Sequence, residues 1–346
     1  MKSNLLRNRI FISVYLSNFI SSVGDRLVLF ILPLWVMELT HSSLKVSIVN
    51  AVMTITVVLL TPFTGTIADR ISRRKIMISA DILRMIVMIC LAILSIIFEL
   101  HLGILIILIV IRSFGTSIFS PASNAALLTF VDKKDIDEAV AWRQTMNQLV
   151  GIIAPLLGGI LVAAVSYQII FIIDAASFLI SVIVLLIIRF PNDIKITKRK
   201  PFWVDLKEGF TTILNQNVLK TLLISAGIIN ILGAALIVTL QVYVIRMHYS
   251  PIWWSIIFVS SPLGVIVGAF ISRLIKLDKK MFTNAFIYVG LMGSLNVLMG
   301  LVQNAFIFTI VFFLSGIAFG ISNIYFGSLY QKMIPLEKNK VDFLGF

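Results

Sequence analysis

The feature of this sequence that most restricts its fold is a series of long apolar runs with short charged stretches between them. The run from Val46 to Thr66, for example, contains no charged residue. About twenty apolar residues in an α-helix cross the hydrocarbon core of a bilayer with every backbone hydrogen bond made inside the segment. The chain is 59% hydrophobic and 13% charged, with a mean hydropathy of +1.03. A soluble core of this length cannot hide that much apolar surface, so the sequence predicts an all-α integral membrane protein.

The apolar runs predict ten membrane spans. The N-terminal run is too long for the apolar part of a signal peptide and lacks a small-residue cleavage site, so we interpret it as an uncleaved first helix. The predicted spans are 11–37, 46–66, 76–98, 102–121, 144–165, 168–189, 218–245, 253–272, 281–302 and 305–326.

The basic residues predict the orientation of the chain. A net charge of +13 would suggest nucleic acid as a partner of a soluble protein, but here the cations lie in short loops between spans, where they face lipid headgroups. All but five of the 29 basic residues fall on the side of the N-terminus; the exceptions are Lys45, Arg246, Arg26, Arg84 and Arg112. Cytoplasmic loops of membrane proteins are enriched in Lys and Arg. We therefore expect a multi-pass protein of the cell membrane with a cytoplasmic N-terminus and no nucleic-acid partner.

The most charged loop lies between the second and third predicted spans. From Gly65 to Lys75 it reads Gly-x-x-x-Asp-Arg-x-x-Arg-Arg-Lys. This spacing resembles the loop between helices two and three of the major facilitator superfamily. The resemblance implies the facilitator fold of two six-helix bundles and a gating loop that latches the outward-facing state. The gating residues would be Gly65, Asp69, Arg70, Arg73 and Arg74. The alternative, solvated charges that only set the orientation, accounts for the basic residues but not for the glycine and the acid.

An internal repeat supports two halves in the same order. Gly65 corresponds to Gly268 at an offset of 203 residues, and cations follow both glycines. At the same offset Arg143, just before the fifth span, corresponds to the last residue, Phe346. We therefore expect a second bundle that is incomplete, with about ten of the family's twelve helices in the chain. The predicted domains are a six-helix bundle at 1–190, a basic cytoplasmic linker at 191–217 and a four-helix bundle at 218–346.

Two charged side chains near the middle of spans are candidates for proton coupling. Asp25 lies in the first span, where a carboxylate costs several kilocalories per mole unless it is paired, hydrated or protonated. Arg112 lies in the fourth span and always carries its charge. It resembles the facilitator arginine of helix four, and the resemblance implies a part in proton transfer. The alternative is that Asp25 pairs with Arg26 or Arg112 and only locks helices together.

The fifth span contains a cluster of small residues around a proline. The stretch resembles the antiporter motif of facilitator exporters, although Ala154 replaces one glycine of that motif. A packing interface is the alternative, because small residues let membrane helices approach closely. The antiporter-like residues are Gly151, Pro155, Gly158 and Gly159.

Further polar residues lie within the spans. Asp174, in Ile-Asp-Ala-Ala-Ser-Phe, resembles a stretch of the drug-proton antiporter branch, which includes macrolide efflux proteins and siderophore exporters. It lies toward the outer end of the sixth span, from where it could reach outer water. Asp81 and Arg84 are three residues apart, so we expect them to pair on one helix face. Possible cavity residues are Asn147, Asp174 and Asn230, with hydrogen bonds between helices as the alternative use.

Several chemistries are not expected. Cys90 is the only cysteine, and His41, His101 and His248 lie far apart in outer loops. The sequence has no glycine-rich phosphate loop. We expect no metal, no cofactor and no enzymatic activity.

These observations together predict a monomeric secondary transporter in the lipid bilayer. It would export a small amphipathic compound, drug-like or macrolide-like, in exchange for protons, by alternating access. Four alternatives stay open at this point: a truncated remnant that transports nothing, a membrane protein with only an interaction role, a siderophore exporter, and an importer.

Overall fold

The structure is a computed structural model, and it describes most of the chain. The described residues are 9–68, 71–97, 101–127, 129–131, 135–188, 190, 251–274 and 281–333, with single residues between 211 and 250. The helices with complete bounds in this part of the chain are α1 Arg9–Thr40, α2 Ser43–Ala68, α3 Arg73–Ile97, α4 Leu102–Leu127, α5 Ile136–Ala164, α6 Tyr167–Ile187, α7 Pro251–Leu274, α8 Met281–Met299 and α9 Ala305–Met333.

Each of these nine helices is long and apolar enough to cross a membrane. They correspond to nine of the ten predicted spans, and the protein is therefore all-α and multi-pass. The remaining span, predicted at 218–245, and the linker at 191–217 lie outside the described residues apart from single positions. The bundle boundaries at 190 and 218 consequently stay predictions.

Two boundaries differ from the predictions for a physical reason. α5 begins at Ile136, well before the predicted start at 144, because its first turns are polar and a hydropathy window does not register them as part of a span. α3 begins at Arg73, so Arg73, Arg74 and Lys75 form its first turn. The prediction that these cations belong to a loop was wrong; only four residues separate α2 from α3.

The described helices fall into two compact units. The first unit contains α1 to α4, α6 and the part of α5 up to Met146. The second unit contains α5 from Asn147 onward together with α7, α8 and α9.

The core of the first unit consists of two apolar clusters. One includes Val28, Leu91 and Phe171, and the other includes Val14, Met77 and Leu185. On each of α1, α3 and α4, charged side chains lie between the residues of one cluster and those of the other. These charged side chains form one layer, which we call the charged level. The apolar clusters above and below shield these charged side chains from water, which strengthens the electrostatic interactions between them.

The second unit is held together by a close crossing of α7 and α9. Each helix presents glycines four residues apart, Gly264 and Gly268 on α7 and Gly316 and Gly320 on α9. A Cβ on Gly264 would lie 2.9 Å from the backbone nitrogen of Ile317, and one on Gly268 would overlap the Ile317 carbonyl. Small residues at this spacing let two helix backbones pack directly against each other, which is how membrane helices gain contact energy.

Candidate functional site

The charged level of the first unit contains three carboxylates and two guanidinium groups. Asp25 comes from α1, Asp81 and Arg84 from α3, Arg112 from α4 and Asp174 from α6. We call these five residues the charge network. Asp81, Arg84 and Asp174 are at most 1% exposed, and Asp25 is the most accessible member, with 17% of its side chain exposed.

Arg84 joins two of the carboxylates. Its NH1 donates to Oδ2 of Asp25, and its NH2 donates to Oδ1 of Asp81. The predicted pairing of Asp81 with Arg84 is confirmed. The Arg84 guanidinium also lies 4.3 Å from the ring centre of Phe119 and 4.5 Å from that of Phe178. Two rings and two ion pairs hold this guanidinium in one place.

Arg112 joins Asp25 to Asp174. Its NH2 donates to Oδ1 of Asp25 at 2.7 Å and lies 3.5 Å from Oδ2 of Asp174. The structure therefore brings the two predicted proton-coupling residues, Asp25 and Arg112, into direct contact. Arg26, the other partner considered for Asp25, is exposed and makes no ion pair with a residue that the structure describes.

The expectation that Asp174 reaches outer water was wrong. Its side chain is completely buried. α6 packs so closely against α1 at this point that a Cβ on Gly24 would overlap Oδ1 of Asp174 and lie 2.7 Å from Oγ of Ser177. Because Gly24 has no side chain, Asp174 can pack against α1 next to Asp25 and belong to the network. An apolar span shows from its hydropathy only that it lies in the bilayer, not which face it turns inward.

The network carries an uncompensated charge when all of its members are ionised. Three carboxylates against two guanidinium groups leave one negative charge in a largely buried site. A buried charge without a partner is expensive, so the site favours the uptake of one proton.

The predicted gating residues have mixed outcomes. Gly65 lies in the last turn of α2, and a Cβ there would find no atom within 4 Å. Asp69 and Arg70 lie outside the described residues. Arg73 NH1 donates to the Ala125 carbonyl at 2.8 Å, near the end of α4. Arg74 caps the end of α6, donating through Nε to Leu185 O at 2.8 Å and through NH2 to Leu186 O at 2.6 Å. Basic side chains satisfy C-terminal carbonyls in this way.

The antiporter-like residues lie on the part of α5 that belongs to the second unit. Gly151 faces Pro262 of α7, and a Cβ on it would make an ordinary contact at 3.8 Å. The carbonyl of Pro155 accepts a hydrogen bond from Oγ of Ser255 at 2.8 Å. Gly158 and Gly159 are buried. Among the possible cavity residues, Asn147 is exposed, and Asn230 lies outside the described residues.

Comparison with known proteins decides the family. Residues 14–341 match the Major Facilitator Superfamily. The chain belongs to the Major Facilitator Superfamily. As a facilitator it is a membrane transporter and not an enzyme. Within the described residues, no group of three His, Cys, Asp or Glu side chains could hold a metal ion.

Three similar proteins illustrate the range of this facilitator's relatives. The chain is 28% identical to the uncharacterized MFS-type transporter YfiS of Bacillus subtilis (strain 168), covering 97% of this chain and 82% of that protein. It is 26% identical to macrolide efflux protein A of Enterococcus faecalis, covering 82% of this chain and 88% of that protein. A bacterial homolog to the human lysosomal transporter Spinster, solved inward-facing and unoccupied, is 14% identical, with a TM-score of 0.70 over 95% of this chain and 75% of that one. That likeness shows the fold alone.

Sequence reasoning underrated Arg84 and Asp81, which it treated as a local pair. The available signal was their place inside a predicted span: two ionisable residues within an apolar span are expensive there and usually functional. Four spans in one half of the chain each contain an ionisable residue, which indicates a shared site.

Proposed function

We propose that this facilitator is a proton-coupled exporter of small amphipathic compounds, drug-like or macrolide-like, which works as a monomer by alternating access. It would lie in the cell membrane with its N-terminus in the cytoplasm. The observation that carries the proposal is the largely buried charge network of the first unit, in which NH2 of Arg112 lies 2.7 Å from Oδ1 of Asp25.

The charge of the network provides the coupling. With one proton bound the five residues are neutral, and the helices that carry them can pack closely. Loss of the proton leaves one negative charge in an apolar site, which favours a conformation in which the site is open to water. A transporter that must bind and release this proton in each cycle uses the proton gradient to drive its substrate.

The direction of transport and the substrate class have separate support. A macrolide efflux protein is among the relatives and matches over most of both chains. The Gly-x-x-x-Pro-x-x-Gly-Gly stretch from Gly151 to Gly159 resembles the antiporter motif of exporters. The cytoplasmic N-terminus is supported by the 24 basic residues on its side of the membrane, because cytoplasmic loops are enriched in Lys and Arg.

Everted membrane vesicles that contain the full chain test the proposal. A radiolabelled macrolide and an unrelated amphipathic dye serve as probes, each measured with a pH gradient and after an uncoupler. We expect uptake of at least one probe that collapses on addition of the uncoupler and that vesicles without the protein lack. Uptake that is insensitive to the uncoupler would contradict proton coupling, and absence of uptake of both probes would contradict the substrate class.

A further inference from the structure

The three carboxylates of the charge network differ in how well their charge is compensated. Asp81 accepts from Arg84 at Oδ1 and from the hydroxyl of Ser181 at Oδ2, the latter at 2.7 Å. Asp25 accepts from Arg84 at one oxygen and from Arg112 at the other. Both oxygens of both carboxylates thus have strong donors, as ionised carboxylates require.

Asp174 lacks such donors. The NH2 of Arg112 donates to Oδ2 of Asp174 only at the long distance of 3.5 Å, and the same NH2 donates to Asp25 at 2.7 Å. Ser177 Oγ lies 3.4 Å from Oδ1 of Asp174, but its hydroxyl donates to the Asp174 carbonyl at 2.7 Å. One hydroxyl has one hydrogen and two lone pairs, so Ser177 is left as an acceptor for a proton on Oδ1. A fully buried carboxyl with an acceptor beside it and no close donor suits the neutral, protonated form.

We propose that Asp174 holds the exchangeable proton in this conformation, and that Asp25 is the residue through which the proton enters and leaves. This inference rests on the proposed proton-coupled function and names the residue that stores the proton. Among the described residues, the charged groups that act on Asp174 are Asp25 from α1, Arg84 from α3 and Arg112 from α4.

Arg112 is the group that can move when the proton leaves. Arg84 is held by two rings and donates to two carboxylates through two different nitrogens, whereas Arg112 makes its side-chain hydrogen bonds to described residues through NH2 alone. As the O–H bond of Asp174 breaks, the proton passes to Oδ1 of Asp25, and Arg112 moves from Asp25 toward the carboxylate left on Asp174. The protonated Asp25 then releases the proton to water through its exposed edge. The total charge is unchanged until the proton leaves Asp25.

Two serines allow the site of the proton to be identified without removing a charge. Ser177 contacts Asp174, and Ser181 contacts Asp81, one turn further along the same helix. Replacing Ser177 by alanine changes the surroundings of the Asp174 carboxyl alone, and replacing Ser181 changes those of Asp81. The two variants are a matched pair, because both remove one buried hydroxyl from α6.

Infrared difference spectroscopy between acid and alkaline pH, on the full chain in lipid vesicles, tests the inference. We expect wild type to show the C=O stretching band of a protonated carboxyl, Ser177→Ala to shift it, Ser181→Ala to leave it in place, and Asp174→Asn to abolish it. If Asp174→Asn does not fold, the two serine variants still show which carboxyl group carries the proton. A band that shifts only in Ser181→Ala, or that neither serine variant moves, would overturn the inference.

The vesicle transport assay separates this inference from the proposed function. Uncoupler-sensitive transport together with a band unaffected by Ser177→Ala would contradict the storage role of Asp174 and leave the proposed function standing. A band that shifts in Ser177→Ala, in a protein whose transport does not depend on the pH gradient, would support Asp174 as the proton site. The same result would contradict proton-coupled transport.

Discussion

Arg112 NH2 donates to Oδ1 of Asp25 at 2.7 Å, across 87 residues of sequence. This contact ties α4 to α1 within the apolar interior of the first unit. The same NH2 lies 3.5 Å from Asp174 on α6, so one guanidinium group lies against carboxylates from two helices. A cation in this position can respond to the charge of either carboxylate and can change how three helices pack.

Replacing Arg112 by alanine is expected to abolish gradient-driven transport and to destabilise the first unit. The change leaves Asp25 with one cation and removes the only cation that forms an ion pair with Asp174 among the described residues, and breaking a buried ion pair costs about 3–5 kcal/mol. Thermal unfolding of the purified protein in detergent measures the loss. Arg112→Lys is the control: it keeps a positive charge but not the planar group that lies between two carboxylates. We expect it to recover stability more than transport. Full transport by Arg112→Ala would contradict the role assigned to this residue.

The hydrogen bond that Ser181 donates to Asp81 is expected to matter for stability and not for proton exchange. Asp81→Asn leaves Arg84 with one carboxylate and weakens the hydrogen bond from Ser181, so we expect a clear drop in the unfolding temperature. Ser181→Ala removes one hydrogen bond to a charged group, worth about 2 kcal/mol. Transport by Ser181→Ala should match that of wild type once it is divided by the amount of folded protein. A fluorescence assay measures that amount. A Ser181→Ala variant of normal stability but altered proton coupling would contradict this division of roles.

The sequence was sufficient for some parts of the site and not for others. Asp25 and Arg112 were identified because ionisable residues at mid-depth are costly in lipid, and Asp81 with Arg84 because residues three apart share a helix face. The link from Arg84 to Asp25 and the burial of Asp174 were missed. Both depend on how each helix is rotated about its own axis. Helices that are apolar on all sides, such as α6, have no polar face from which that rotation can be inferred.

The fold was predictable at the level of spans and less so at their ends. Hydropathy located nine helices that the structure describes, because lipid leaves few alternatives to a helix of about twenty residues. The start of α5 at Ile136 and the inclusion of Arg73 in α3 were missed, because a helix can continue into water beyond the bilayer.

The crossing of α7 and α9 predicts which glycines of the second unit cannot be replaced. In Gly264→Ala the added Cβ would overlap backbone atoms of α9, which cannot move aside as a flexible side chain would. We expect a loss of about 1–3 kcal/mol of stability, as for other overpacked sites. Gly290→Ala on α8 is the matched control, because a Cβ there would find no atom within 4 Å. Its unfolding temperature should be unchanged or slightly higher, since alanine favours helix. Equal effects of the two substitutions would contradict the crossing.

Arg74 is expected to stabilise the end of α6. Arg74→Gln removes two charge-assisted hydrogen bonds to the carbonyls of Leu185 and Leu186, each worth about 1.5–3 kcal/mol when formed with a charged donor; partial exposure to solvent reduces the net loss. We expect faster backbone hydrogen exchange in the last turn of α6, measured by mass spectrometry. Lys75→Gln, next in the chain and exposed, is the control and should leave this exchange unchanged. Unaltered exchange in Arg74→Gln would show that these contacts do not hold the helix end.

The measurement that tests the central claim most directly compares two modes of transport in proteoliposomes with Asp25→Asn. Net transport driven by a pH gradient requires the network to bind and release a proton, whereas exchange of labelled for unlabelled substrate at equal pH does not. We predict that the variant loses gradient-driven transport and retains exchange. Gradient-driven transport at the wild-type rate in Asp25→Asn would contradict the claim that the buried charge network couples proton movement to export.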